Sequence, residues 1–522
     1  MWYAFPAVGE LTPPTDFLKG GPSAAVIANK APHLNVTVVD IDARRIEAWN
    51  SDNLPVYEPN LFQLVQPARD GSPTRKSNLF FSTKIDEKIR EADIVFIGVN
   101  TPTKRTGLGA GKASDLGWLE AATRRVAKAA ERDTIVVEKS TVPCGTADIM
   151  RDILAANAQP GASFEVLSNP EFLAEGTAIK NLLHPDRILI GSLDTEAGYA
   201  AAESLVDVYA NWIPREKLIT MNLWSSELSK LAANAMLAQR ISSINSLSSI
   251  CEAVNANIQD VAYAVGLDSR IGPKMMNASV GFGGSCFKKD ILNLVYISES
   301  LNLPEVAAYW QGVIAVNEYQ KDRFVRRIVN SMHSTLFNKK IAVLGFAYKK
   351  DTGDTRESPA IDVCNALLAE NANVHIFDPQ VRPEQIMSDL RLTMDDDRVS
   401  ICDNAYDACQ DAHGVVILTE WDMFSNKVNK TAPSTPIPTR NGSYNGPALE
   451  QNGHMSTSSS TTDLATLKTM KTAKIDWARV ADIMDKPMYV FDGRNTVDVA
   501  ALERLGFSVE AIGVATSSRL VR

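Results

Sequence analysis

Short apolar runs of strand length, each followed by a helical stretch, recur along this chain in two separate blocks. The first block contains Val36-Thr37-Val38-Val39-Asp40, Ile94-Val95-Phe96-Ile97-Gly98-Val99 and Ile135-Val136-Val137, with further candidates at 165–167 and 188–190. The second contains Lys340-Ile341-Ala342-Val343-Leu344-Gly345, Val374-His375-Ile376-Phe377-Asp378-Pro379, Val415-Val416-Ile417-Leu418 and Met488-Tyr489-Val490-Phe491-Asp492. Strands without a polar face belong inside parallel sheets covered by helices on both sides. The predicted class is therefore α/β, with two doubly wound, Rossmann-like domains. Between the blocks the chain reads as helix. Over 225–254 apolar residues recur at three- and four-residue steps (Leu228, Leu231, Ala235, Ile241, Ile244, Leu247), with no Pro or Gly. This long central helix joins the two halves, dividing the chain into 1–215, 216–335 and 336–522. Residues 426–474, rich in Ser, Thr, Pro, Asn and Gly, bury too little apolar surface to offset ordering entropy and read as a disordered insertion in the second domain.

Composition narrows the function classes. A chain of 522 residues, 45% hydrophobic and 22% charged, can build more than one core. Its net charge of -9, without a long basic run, gives no footprint for nucleic acid or an anionic membrane. No apolar stretch approaches the roughly 20 residues that cross a bilayer. Pro6, Glu10, Pro13, Pro14 and Asp16 stand where a signal peptide would be apolar, so the cytosol is expected. Six cysteines without a C-x-x-C pair imply reduced thiols, and six histidines without ligand spacing imply no structural metal.

The chemistry concentrates in Ser279-Val280-Gly281-Phe282-Gly283-Gly284-Ser285-Cys286-Phe287-Lys288-Lys289-Asp290. Three glycines let backbone approach a ligand, and the cysteine falls where a helix would start, beside two lysines. That setting favours a nucleophilic thiolate over a merely packed cysteine.

This segment resembles the catalytic loop of the UDP-glucose/GDP-mannose dehydrogenase family, in its UDP-glucose 6-dehydrogenase branch of eukaryotic type. Other stretches carry the same resemblance: Tyr57-Glu58-Pro59, Val99-Asn100-Thr101-Pro102-Thr103, Glu138-Lys139-Ser140-Thr141-Val142-Pro143, Ser168-Asn169-Pro170-Glu171-Phe172-Leu173-Ala174-Glu175-Gly176 and Trp224-Ser225-Ser226-Glu227-Leu228-Ser229-Lys230-Leu231-Ala232-Ala233-Asn234. The resemblance implies NAD-dependent oxidation of UDP-glucose to UDP-glucuronate in two hydride transfers, by a chain that forms dimers or hexamers. Between the transfers a thiolate holds the sugar as a thiohemiacetal and then a thioester. Cys286 is the candidate for that role. Asn169-Pro170-Glu171 reads as a helix cap and first turn that favour an ionised Glu171, the candidate base. Lys230 and Asn234, four apart on the predicted helix, share a face and can converge on a substrate oxygen, unless the helix turns that face to solvent. The resemblance further implies Asp290 and Thr141 as holders of the hydrolytic water.

For the cofactor it implies Val99, Asn100, Thr101, Pro102, Thr103, Ser140, Thr141, Glu175 and Arg356. For the nucleotide sugar it implies Glu171, Phe172, Leu173, Ala174, Glu175, Lys230, Asn234, Asn277, Ala278, Ser279, Val280, Gly281, Phe282, Gly283, Tyr348, Lys349 and Arg494. Arg270 joins these as a residue that reaches a neighbouring subunit's site.

One region departs from the pattern. A dinucleotide-binding fold opens with a strand and G-x-G-x-x-G. Here Thr15 and Phe17 fall at the first two glycine positions, and Pro13-Pro14 argues against a central strand. The first strand and the glycine loop are therefore expected to be missing and NAD binding weakened. What remains is the helix start at Gly20 and Gly21, the acid Asp40 at the end of the next strand, which suits a ribose diol, and Arg45. Two alternatives stay open: an impaired UDP-sugar-binding subunit, and a dehydrogenase of another sugar nucleotide.

Overall fold

The structure, a computed structural model, describes residues 2–7, 20–427 and 474–515. The chain divides into two compact units: 1–247 with 262–277 and 281–320, and 321–522 with 248–261 and 278–280.

The first unit holds an eight-stranded sheet: β1 (Trp2–Ala7), β2 (Asn35–Asp40), β3 (Leu79–Ser82), β4 (Ile94–Ile97), β5 (Thr134–Glu138), β6 (Phe164–Ser168), β7 (Ile188–Ser192) and β8 (Leu218–Asn222). Their order is β3-β2-β1-β4-β5-β6-β7-β8. All neighbours are parallel except β6 and β7, which meet antiparallel at Ser168 and Gly191. Alternate residues of one strand feed opposite faces, as the period of two requires. Ile94 and Phe96 pack with the helices Gly20–Lys30 and Glu196–Tyr209, whereas Val95 and Ile97 pack with Gly117–Ala129 and Thr146–Asn157.

The strand expected to be missing is present, which corrects that reading. Trp2–Ala7 lies centrally, pairing with β2 along its whole length and with β4 at Tyr3 and Ala4. Its aromatic residues favour a strand. Pro6 stands beyond the register with β4, opposite Val39 of β2 alone, where a missing N–H is tolerated. Pro13 and Pro14, which argued against a strand, lie further along the chain. They, Thr15 and Phe17 fall outside the described residues.

The helix Leu223–Val254 starts two residues before the predicted span. It buries Leu231, Ala235, Ala238 and Ile244, while Leu228 and Leu247 of the predicted apolar face are 43% and 37% exposed. Its buried stripe meets Ile291, Leu294 and Val295 of the helix Ser285–Ser300 in one cluster.

The second unit carries β9 (Lys340–Leu344), β10 (Asn373–Phe377), β11 (Val399–Ile401), β12 (Gly414–Ile417), β13 (Tyr489–Asp492) and β14 (Ser508–Ala511). The sheet is wholly parallel, ordered β11-β10-β9-β12-β13-β14. Both sheets thus reverse direction beside their first strand, and a doubly wound sheet opens its binding crevice at the carboxyl ends there. Most of the predicted insertion, 428–473, lies outside the described residues.

Candidate active site at the carboxyl edge of the first sheet

The residues proposed for the chemistry all belong to the first unit. Gly284, at φ 87°, adopts the left-handed conformation that glycine tolerates best and caps the helix Ser285–Ser300, so Cys286 stands in its first turn. Cys286 is exposed, whereas Cys251, Cys364 and Cys409 are buried. Burial pushes the Cys409 thiol up to about 12 and the Cys402 thiol up to about 11. No cysteine is in a disulfide. The two lysines next to Cys286 have other partners: Lys289 donates to the carbonyl of Thr101 at 3.2 Å, and Lys288 lies 3.9 Å from Glu318.

One helical turn beyond Cys286, on the same face, is Asp290, fully buried. Asn234 Nδ2 donates to its Oδ2 at 2.6 Å. Among the described residues its Oδ1 has no hydrogen-bond donor, with Lys289 Nζ 3.8 Å away. Such an oxygen is costly to bury unless a water or ligand reaches it. Lys230 is 7% exposed, so its face of the helix is not turned to solvent, and its ammonium lies 4.9 Å from the centre of the Phe172 ring. Arg187 lies 4.0 Å from the same ring. Both cations gain from the negative face of the aromatic.

Glu171 is buried but does not begin a helix, contrary to the sequence reading. It sits in irregular backbone after β6, and the next helix is Ala178–Leu183. The physical reason is that Asn169, read as the cap, is occupied. Its Nδ2 donates to Leu189 O at 2.7 Å, and its Oδ1 accepts from Tyr209 at 2.6 Å and from Lys139 Nζ at 3.1 Å. The Glu171 carboxylate is held instead by Ser23, whose hydroxyl donates to Oε1 at 2.7 Å, and by Lys139 Nζ at 3.8 Å. Its Oε2 has no hydrogen-bond partner among the described residues. Sequence reasoning missed Ser23 and Lys139 as site residues. Ser23 follows the helix start at Gly20 and Lys139 lies in the block Glu138 to Pro143, but 148 residues separate Ser23 from Glu171, and only the sheet order joins them.

The loops after β4 and β5 are laced together. Thr101 Oγ1 donates to Thr141 O at 2.7 Å, and Ser140 Oγ donates to Val99 O at 2.7 Å. Val99, Thr101, Ser140 and Thr141 are buried, while Asn100, Pro102 and Thr103 are half-buried. Leu173 and Glu175 are half-buried and Ala174 is exposed. At the β2 end Asp40 accepts from the Asp42 N–H at 2.8 Å and from Arg45 Nη1 at 3.4 Å. Burial raises its pKa above the usual carboxylate value, against the pull of those donors. The helix Gly20–Lys30 opens at Gly20, where an added Cβ would meet nothing within 4 Å among the described residues. At Gly21 it would come within 2.1 Å of the Trp49 ring, so Gly21 is required for packing. Gly281, Phe282 and Gly283 are buried, and Asn317 grips the Phe282 backbone from both sides, at 2.8 and 3.2 Å. Asn277 is exposed, and Arg270 is a surface residue whose side chain, 86% exposed, pairs with Asp268 at 2.6 Å.

In the second unit Val280 N donates to Gly493 O at 2.7 Å, and Asn495 donates to Ala278 O at 3.1 Å. These two bonds seat residues 278–280 on the carboxyl end of β13. Arg494 donates to Leu418 O at 2.7 Å and to Tyr348 O at 3.0 Å, tying the ends of β12 and β9 together, and Lys349 Nζ lies 5.6 Å from the Tyr348 ring centre. Arg356 is clasped by Asp354 at 2.8 Å. Among the described residues no group of three His, Cys, Asp or Glu could hold a metal, and no helix is long and apolar enough to cross a membrane.

Comparison with known proteins gives one consistent result. Three family models match: the NAD binding domain of the UDP-glucose/GDP-mannose dehydrogenase family over residues 19–213, its central domain over 224–319 and its UDP binding domain over 342–441. UDP-glucose 6-dehydrogenase 3 of Arabidopsis thaliana and UDP-glucose 6-dehydrogenase 1 of Glycine max are each 52% identical over 509 residues, 95% of either chain. A UDP-glucose dehydrogenase from the archaeon Pyrobaculum islandicum is similar in structure, with TM-score 0.69 and 32% identity over 80% of this chain and 90% of that one. A UDP-D-ManNAc dehydrogenase from Pyrococcus horikoshii shares the fold at TM-score 0.71 and 20% identity, covering 98% of this chain and 99% of that one.

Proposed function

Because the chain belongs to the UDP-glucose/GDP-mannose dehydrogenase family, we infer that it oxidises the 6-hydroxymethyl of UDP-glucose to the carboxylate of UDP-glucuronate with NAD. The observation that carries the chemistry is the stacking of an exposed Cys286 over a buried Asp290 on one helix face, with Asn234 fixing one carboxylate oxygen and the other left without a donor among the described residues.

The described residues fit the cofactor: a glycine helix start at Gly20, an acid at the end of β2 and laced loops at the ends of β4 and β5. Two NAD molecules, bound there in succession, would each accept one hydride from C6, the first giving the aldehyde level and the second the acyl level. Gly20, Asp40, Arg45, Val99, Asn100, Thr101, Pro102, Thr103 and Ser140 would hold it, with Glu175 and Arg356 as further contacts and Gly21 supporting the helix start.

Lys230 and Asn234 face the oxygen on C6 and stabilise the negative charge that develops there. The Cys286 thiolate adds to the aldehyde carbon, forming a C–S bond and an alkoxide that becomes the thiohemiacetal. Loss of the second hydride leaves a thioester. A water held by Asp290 Oδ1 and Thr141 attacks it while Glu171 takes one of the water's protons, the C–S bond breaks to return the thiolate, and the sugar leaves as the carboxylic acid, which gives its remaining proton to solvent. Phe172, Leu173, Ala174, Asn277, Ala278, Ser279, Val280, Gly281, Phe282, Gly283, Tyr348, Lys349 and Arg494 would contact the nucleotide sugar. Arg270, on the surface, would serve a second copy of the chain. The chain works in the cytosol as a dimer or hexamer, a state that mass photometry measures directly.

The experiment is Cys286→Ser with UDP-glucose and NAD. Loss of UDP-glucuronate is expected; an unaltered yield would remove the cysteine from the mechanism.

A further inference from the structure

We infer that Glu227 is a positioning residue, whose carboxylate fixes the loop bearing Thr141 against the helix bearing Lys230 and Asn234. The inference rests on the reading of Thr141 and Asp290 as holders of the hydrolytic water.

The helix Thr146–Asn157 begins after Gly145, which sits at φ 95° and has no side chain with which to cap it. The acceptors come from a distant part of the chain. Glu227 Oε2 accepts the Gly145 N–H at 2.7 Å, and Oε1 accepts the Ala147 N–H at 2.8 Å. Both oxygens are committed, and the residue is 1% exposed. Burial pushes the Glu227 carboxyl up to about 6, the backbone donors pull it back, and the charge of Asp148 adds to the push. A local cap is not on offer, since Ser, Thr, Asn and Asp cap from the β region and position 145 stands at φ 95°. Here a carboxylate is buried at a desolvation cost to reach the loop from the helix that carries the catalytic lysine.

Position along the two elements gives the contact its consequence. Glu227, Lys230 and Asn234 are spaced by three and then four, one stripe of the helix Leu223–Val254, and all three are buried. On the other side, Gly145 lies four residues after Thr141, and Pro143 stiffens the span between them. Of the other anchors of this loop, Ser140 to Val99 and Thr101 to Thr141 tie it to the end of β4, and an exposed thiol contact from Cys144 Sγ to Trp224 O, at 3.6 Å, reaches the helix of Glu227. Trp224 also bonds Asp148 at 2.7 Å from the same helix, but that contact is exposed and lies further from Thr141 along the chain. A water held between Thr141 and Asp290 needs the loop and the helix pair in fixed register, and small misplacements of reacting groups cost large factors in rate.

The test is Glu227→Gln, which keeps the shape but presents an amide N–H₂ to one of the two backbone donors. The expected result is a kcat lowered about tenfold with an unchanged KM for UDP-glucose. Acid-quenched enzyme should at the same time carry more Cys286-bound UDP-glucuronyl thioester, by intact mass, than the wild type. A smaller folded fraction cannot raise that adduct. Glu227→Asp, which keeps the charge on a shorter arm, should show a smaller accumulation and serves if the Gln variant fails to fold. Wild-type kcat in the folded Gln variant, or a lower kcat without extra adduct, would overturn the inference. Thr141→Ala and Asp290→Asn separate the two levels. If they accumulate adduct and the Glu227 variants do not, only the positioning role fails; if none of them does, the reading of the water site fails with it.

Discussion

The two sheets share one strand order around their first strand, yet the acid that ends the second strand does different work in each. In the first unit Asp40 accepts, among the described residues, from one backbone N–H and from Arg45 at the long distance of 3.4 Å. In the second, Asp378 is saturated: Oδ1 accepts from Gln380 and Val381 at 2.8 and 3.0 Å, and Oδ2 from Phe346, Ala347 and the Trp421 indole at 2.8, 3.1 and 3.1 Å. The loop after β9 is thereby folded onto the place where a dinucleotide ribose would sit. Gly345, at φ 93°, permits this, since a Cβ there would lie 2.4 Å from Thr419. Among the described residues, the carboxylate at the first crevice thus keeps room for a further donor, while that at the second is taken up by its own chain. Fold alone does not say which sheet binds the dinucleotide; the partners of one carboxylate do.

If the chemistry belongs to the first unit, its removal should show in the order of how directly each residue touches the reacting atoms. Cys286→Ser should lower UDP-glucuronate formation by roughly a thousandfold or more, as loss of a nucleophile does elsewhere, with an unchanged melting temperature because the side chain is exposed. Asp290→Asn should cost about a hundredfold in kcat, and rapid-quench mass spectrometry should find the Cys286 adduct accumulating. A faster release of product in that variant would contradict the placement of the water. The carboxylate pair then tests the comparison itself. Asp40→Ala should weaken NAD about tenfold by calorimetric titration, the value of one charge-assisted hydrogen bond, with little change in thermal stability. Asp378→Ala should leave NAD affinity intact and lower unfolding free energy by about 3 kcal/mol, because five donors lose their acceptor. An exchange of those two outcomes would break the comparison.

How much of this could be read beforehand follows the same physics. The strands found from sequence, such as Ile94–Ile97 and Gly414–Ile417, are buried on both faces and therefore continuously apolar. The strands missed at the margins were Leu79–Ser82, Leu218–Asn222, Val399–Ile401 and Ser508–Ala511, which are the outermost strands of the two sheets. Each has an open side, with Phe80 37% and Ile219 40% exposed, so apolar and polar residues mix within a few positions. The missed central strand, Trp2–Ala7, escaped for another reason: the expected glycine motif placed it directly before Gly20, and it lies further upstream. In the site, Cys286 and the Lys230–Asn234 face were legible because their spacing is local. Glu171 was assigned the wrong local structure because Asn169 spends its cap-forming atoms on Leu189, Tyr209 and Lys139, partners that only tertiary folding supplies.

The smallest expected effect concerns two adjacent glycines. Gly20 and Gly21 were read from sequence as one surviving remnant of a phosphate-binding turn, but the structure separates them. A Cβ at Gly20 would meet no described residue, so Gly20→Ala should change stability by less than about 0.5 kcal/mol, and any loss should appear in NAD affinity, where a methyl group intrudes on the approach to the helix start. Gly21→Ala should cost about 1–3 kcal/mol in chemical denaturation, because its methyl would enter the Trp49 ring at 2.1 Å, and that ring already stacks on Phe81 at 5.2 Å between centroids. Trp49→Phe, which frees space on that side, should recover part of the loss, and the coupling between the two substitutions measures the packing directly. Equal stability for the two glycine variants, with equal loss of NAD binding, would restore the view that both serve the cofactor and would remove the packing reason for the second.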